Sequence, residues 1–265
     1  KQGAFAIDLD IDKQTLLVFK IRDRSNDLYV LPNKKYNLTI QDDVGNEGRL
    51  FDKKLQLNLI ASKPNELNTL LSEFAERYAR FLEENYEAFV TASAKQVILD
   101  FKTESLAYFT PKGNGVFMQS LKYLLGNLED AVVHNKKTIY EELLTDGAVL
   151  YHNQEYMTFF VQFYKDRFRQ LALGKDGFEI LTCVNSTTDV QRLKSILKED
   201  PYLSSDPSLE LFILNGLQEV YYDPTFKKLM VKKMLQYIAG NSAYPEHRKI
   251  ARNMVSEFNF LKPGT

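Results

Sequence analysis

Pro64-Asn65-Glu66-Leu67-Asn68-Thr69-Leu70-Leu71-Ser72-Glu73-Phe74-Ala75-Glu76-Arg77-Tyr78-Ala79-Arg80-Phe81 is the stretch in which the chain changes its rhythm. Leu67, Leu71, Phe74, Tyr78 and Phe81, continued by Asn85 and Phe89, recur at three- and four-residue steps with charges between them, the spacing of a long amphipathic helix. Asn65 is the expected N-cap, with Pro64 before it. Upstream of this point the step is two residues. Phe5, Ile7, Leu9 and Ile11 alternate with Ala6, Asp8, Asp10 and Asp12, which predicts a half-buried antiparallel strand. Leu17, Phe19 and Ile21 repeat that period, a polar break at Ser25-Asn26-Asp27 precedes Leu28 to Leu31, and Tyr36, Leu38 and Ile40 are followed by Leu55, Leu57 and Leu59. Roughly five strands are therefore expected in the first 60 residues.

Downstream, helical periods recur at about 95–109, 115–133, 137–151, 155–172, 188–199, 207–222, 225–239 and 246–259, with breaks where Pro or Gly stops one helix and Asp can cap the next. No period is constant enough for a stacked helical repeat. The expected fold class is α+β: a small antiparallel β-sandwich-like module over 1–62, a larger all-α helical bundle over 63–260, and a linker at 261–265.

Composition narrows the function classes. Of 265 residues, 44% are hydrophobic, enough for a sizeable core. Thirty-four Lys and Arg against thirty-five Asp and Glu leave a net charge of -1, which argues against a nucleic-acid partner. No apolar run approaches the roughly 20 residues needed to cross a bilayer. Cys183 is the single cysteine, so no intrachain disulfide, CxxC pair or thiolate-rich zinc site exists within these residues.

Several constellations invite a chemical reading, and each has a plainer one. Asp8-x-Asp10-x-Asp12 resembles the opening of an EF-hand loop, but Lys13 stands where that loop turns on Gly and Phe19 where it ends on Glu, so the three carboxylates read as a solvent face. His134, His152 and His247 lie in separate segments without zinc or triad spacing, and each is expected at the surface. Cys183, among apolar neighbours, is expected buried and inert. Gly174-Lys175-Asp176-Gly177 reads as a turn, Lys227-Lys228 and Lys232-Lys233 as the solvated side of an amphipathic helix, and two Asn-x-Thr triplets, at Asn37 and Asn185, as weak glycosylation matches. Tyr156, Phe159, Phe160, Phe163, Tyr164 and Phe168 form a stripe of rings on one helix face, where core packing is favoured; Tyr156, Phe159, Phe160 and Phe163 are the candidates for lining an apolar groove. No residue is assigned a catalytic, cofactor-binding or metal-binding role.

Gly216-Leu217-Gln218-Glu219-Val220-Tyr221-Tyr222, Leu235-Gln236-Tyr237-Ile238-Ala239, Pro245-Glu246-His247-Arg248-Lys249 and the closing Lys262-Pro263-Gly264-Thr265 resemble the helical segment ahead of the redoxin domain in TlpA-like thiol-disulfide oxidoreductases of bacterial cell envelopes. Gly3-Ala4-Phe5-Ala6-Ile7 and Leu31-Pro32-Asn33-Lys34-Lys35-Tyr36 are similar to the β-rich module at the start of such proteins. The resemblance implies a non-catalytic accessory or partner-selecting region with no cofactor, the CxxC chemistry lying in a downstream thioredoxin-like domain. Its implied partners are that domain and disulfide-bearing envelope proteins, with a homodimer also compatible, and its implied location is periplasmic or anchored at the outer envelope. The alternative, from the rings, is a stand-alone envelope protein that binds a peptide, glycan or lipid.

Overall fold

A computed structural model describes residues 3–22, 24–41, 55–60, 63–90, 93–133, 135–175, 177–203 and 205–260. The chain is 63% helical, with two small antiparallel two-stranded sheets near its start, a small β module followed by helices. By contact it divides into two units: residues 1–125 with 152–154, and residues 126–151 with 155–265.

In the first unit, β1 (Thr15–Ile21) pairs with β2 (Arg24–Val30), and β3 (Leu38–Gln41) with β4 (Gln56–Leu59). The β1–β2 reversal falls at Arg22, whose φ is +56°, and not at Ser25-Asn26-Asp27 as the polar run suggested. Those residues lie within β2 because their polar groups have other uses: Asn26 Nδ2 donates to the Leu55 carbonyl (2.7 Å) and the Ser25 carbonyl accepts from Leu55 N–H (3.2 Å). The strand expected over Phe5 to Asp12 is not formed. Phe5, Ile7 and Leu9 are 66%, 63% and 48% exposed, and no ladder partner runs beside them among the described residues. Alternation fixes which side chains share a face; it does not supply a neighbouring strand.

The change of period at residue 64 does mark where strands give way to helices. α1 (Leu67–Glu84) is capped by Glu66, whose carboxylate accepts from Thr69 N–H (3.0 Å), so the cap lies one residue after the expected Asn65. Asn68, in the first turn, holds β2: its Oδ1 accepts from Tyr29 N–H (2.7 Å) and its Nδ2 donates to the Tyr29 carbonyl (2.9 Å). The side-chain amide thus stands in for a strand neighbour. α2 (Tyr86–Val90) follows a break at Asn85; α3 (Ala94–Phe109) and α4 (Gly115–Val133) agree closely with their periods. Phe74, Phe81, Phe101, Phe109 and Phe117 bury their rings in this unit's core, each worth about 1.5–3 kcal/mol.

The second unit contains α5 (Lys136–Leu143), α6 (Gln154–Phe163), α7 (Arg167–Leu173), α8 (Phe178–Thr182), a π turn at Cys183–Thr187, α9 (Val190–Leu197), α10 (Asp206–Glu219), a 3-10 turn at Val220–Tyr222, α11 (Lys228–Asn241) and α12 (Pro245–Phe260). α5 stops well short of residue 151, and Gly147 beyond it is left-handed at φ +66°. The Gly147 carbonyl accepts from the Ser205 (3.1 Å) and Ser208 (3.3 Å) hydroxyls at the start of α10. The helix expected over 155–172 is two helices, divided at Asp166, where φ is +60°. That bend turns Phe168 onto α10, where Gly216 leaves room for it: a Cβ there would lie 2.3 Å from Phe168 Cγ. α10 is buried from Ser208 to Leu217, with the polar Glu210 and Asn215 inside a mainly apolar run.

Candidate functional site

In the first unit a cleft of about 450 Å³ lies between α1 and α3. Arg77, Arg80 and Glu84 come from α1 at three- and four-residue steps, and Val97, Asp100, Phe101 and Glu104 from α3 at the same steps, so each set shares a helix face. Phe81 and Phe101 lie between the walls, their ring centroids 4.1 Å apart and nearly parallel. Arg80, Glu84 and Glu104 make no ion pair with any described residue, and Arg77 Nε is buried without an acceptor among them. The Arg77 guanidinium instead lies 3.9 Å from the Tyr108 ring centroid.

Beside the cleft the Tyr108 hydroxyl donates to Glu73 Oε1, which Lys112 Nζ also reaches at 3.0 Å while lying 3.4 Å from the Tyr108 ring centroid. The Tyr108 hydrogen bond, with help from Lys112 and Arg77, holds the Glu73 carboxyl below its usual range. This cluster ties α1 to the end of α3 beside the cleft, while within the cleft Asp100 accepts from Gln96 Nε2 (2.8 Å). A ligand carrying both an acceptor for the guanidinium groups and a cation or N–H for the carboxylates fits such walls, with its apolar part against the rings.

A second constellation lies in the interior of the second unit. Glu210, 3% exposed on α10, accepts from His247 Nδ1 (2.8 Å), from the Ser242 hydroxyl and from Lys194. Tyr151 Oη is 2.7 Å from His247 Nε2. Burial alone would push the Glu210 carboxyl up, but hydrogen bonds from His247, Lys194 and Ser242 outweigh it and hold it at about 2. The order hydroxyl, imidazole, carboxylate has the outline of a nucleophile triad. Burial, with Glu246, Tyr244 and Glu210 nearby, pushes the Tyr151 phenol well above its ordinary value, so at neutral pH Tyr151 is a protonated partner of the imidazole and not a phenolate. The network instead ties α9, α10 and α12 together through one buried carboxylate.

His247 is therefore a correction: expected at the surface, it is fully buried because an internal carboxylate and a phenol satisfy both ring nitrogens. His152 is exposed, and His134 lies outside the described residues. Cys183 is buried, and burial raises its thiol pKa, the wrong direction for a nucleophile. Tyr156, Phe159, Phe160 and Phe163 are all buried, ring against ring, in the second unit. The cleft residues are not among the sequence candidates. Their signal is charge at helical spacing beside Phe81 and Phe101, which also describes an ordinary solvated face. Glu210 had the clearer signal, a lone carboxylate inside Leu209-Glu210-Leu211-Phe212-Ile213-Leu214. No group of three His, Cys, Asp or Glu suited to a metal occurs among the described residues.

Neither protein-family models, nor curated proteins, nor solved structures give a match to this chain. A function must be argued from the cleft.

Proposed function

We propose that this chain is a non-catalytic, partner-selecting region that holds a peptide segment of its partner in the α1–α3 cleft. The observation that carries this reading is the pair of charged walls that make no ion pair among the described residues: Arg77 and Arg80 on one side, Asp100, which accepts only from Gln96 Nε2 (2.8 Å), and Glu104 on the other, over Phe81 and Phe101. A polypeptide supplies both kinds of group along with apolar side chains. The resemblance to the pre-redoxin region of TlpA-like oxidoreductases gives the role a setting, in which the captured segment belongs to a disulfide-bearing envelope protein and the reducing cysteines belong to a thioredoxin-like domain elsewhere.

The test has two arms. Titration of an isotopically labelled chain with oxidised, disulfide-bearing peptides should shift resonances of Arg77, Arg80 and Phe101, and R77A/R80A should weaken binding by roughly a hundredfold or more, each lost charge-assisted hydrogen bond costing on the order of 1.5–3 kcal/mol. Shifts confined to other surfaces would place recognition elsewhere. In the second arm the chain alone, supplied with a dithiol reductant, should show no disulfide reductase activity; turnover dependent on Cys183 would overturn the non-catalytic reading.

A further inference from the structure

The net charge of -1 hides a strong internal separation. From Pro224 to the end, eight Lys and Arg stand against two Asp and Glu, whereas residues 126–223 hold nine against sixteen. The basic excess falls on α11 and α12, which pack extensively on each other. Val231, Met234, Leu235 and Ile238 turn the apolar side of α11 into the core, so its opposite side is the free one. On that side Leu229, Lys233 and Tyr237 follow one another at four-residue steps, all exposed, over about 12 Å of helix. Lys228 lies 4.7 Å from the ring centroid of exposed Tyr222, and α12 adds exposed Lys249 and Arg252 three residues apart. Lys228, Lys233, Lys249 and Arg252 form no ion pair with any described residue.

We infer that this basic surface of α11 and α12 docks on an anionic phospholipid membrane. Lysines interspersed with Tyr222, Leu229 and Tyr237 match the chemistry of an interface that offers phosphates and, just beneath them, the glycerol and acyl boundary. Nucleic acid would use the cations but gain nothing from Leu229, which is 66% exposed at the head of the stripe. An acidic protein would pair with the lysines, but it would also have to supply pockets matched to Leu229 and Tyr237 along the helix. A bilayer surface needs no socket. No described helix is long and apolar enough to cross a membrane, so the contact is peripheral.

The whole chain should sediment with vesicles of phosphatidylcholine containing about one third phosphatidylglycerol and not with phosphatidylcholine alone, and salt near 0.5 M should release it. K228A/K233A/K249A should weaken binding about a hundredfold, at roughly fivefold per cation. L229S/Y237S, which keeps every charge, should weaken it by roughly tenfold. Circular dichroism of both variants should match the parent, since the altered side chains are exposed. Failure to bind anionic vesicles, or indifference to the triple lysine variant, would overturn the inference. So would equally tight binding to a single-stranded oligonucleotide combined with indifference to L229S/Y237S, which would reassign the surface to polyanions in general.

Discussion

Glu210 shows how a single residue can be both costly and necessary. A carboxylate at the centre of an apolar helix loses its hydration, and the hydrogen bonds from His247, Lys194 and Ser242 replace it. Its folded-state pKa of about 2 lies below the ordinary 4.5, so its contribution to stability is complete above the unfolded value and is lost as the pH falls from about 4.5 toward 2. The depression corresponds to about 3 kcal/mol at neutral pH. E210Q should therefore lose about that much stability in urea unfolding at pH 7, and the gap between variant and parent should close as the pH is lowered through this window. A gap that stays constant between pH 7 and 3 would mean that the carboxylate's charge is not what holds α9, α10 and α12 together.

At the scale of elements, α10 depends on the absence of a side chain as much as on its apolar ones. Phe168 packs where a Cβ on Gly216 would lie, and its ring centroid is 5.9 Å from that of Phe212. G216A should cost a net of about 1–2 kcal/mol, an overpacking penalty toward the upper end of about 1–3 kcal/mol less the helix-propensity gain of about 1 kcal/mol of Ala over Gly. Its effect should be non-additive with F168A, which removes the ring it strikes, and strict additivity in a double-mutant cycle would show that the two residues do not meet. The same pair shows what was legible in the sequence. Periods set α3, α4 and α12 nearly to the residue; α3 and α12 each bury one continuous stripe, and α4 is buried on more than one side in its second half. The bend at Asp166 had only the weak local signal of an Asp, which tolerates the left-handed conformation, and the contact of Phe168 with Gly216 that accompanies it lies about fifty residues away in sequence. The unformed strand over Phe5 to Asp12 failed for a related reason, since its partner had to come from elsewhere in the chain. At the α1–α3 cleft each wall's spacing is written in the sequence, but that the two walls face each other is a property of tertiary packing.

For the whole molecule, net charge is the least informative electrostatic quantity. The first unit's residues up to Leu125 carry seventeen Lys and Arg and seventeen Asp and Glu, so the separation resides in the remainder, acidic before Pro224 and basic after it. Fields from exposed charges fade over about 10 Å at 0.1 M salt, so a surface in contact with α11 and α12 senses local cations rather than the total of -1. A behaviour independent of lipid follows. With a sequence pI of about 6.4, the chain should still be retained by a sulfonate cation exchanger at pH 7.5 and low salt, adsorbed through α11 and α12. K233A/K249A should elute at clearly lower salt, whereas K20A/K63A, which removes two exposed lysines of the first unit, should elute nearly with the parent. Flow-through of the parent, or equal shifts from the two variants, would show that its charges average out at the scale of the molecule. Retention that depends on Lys233 and Lys249 would establish a polarised surface before any membrane is added.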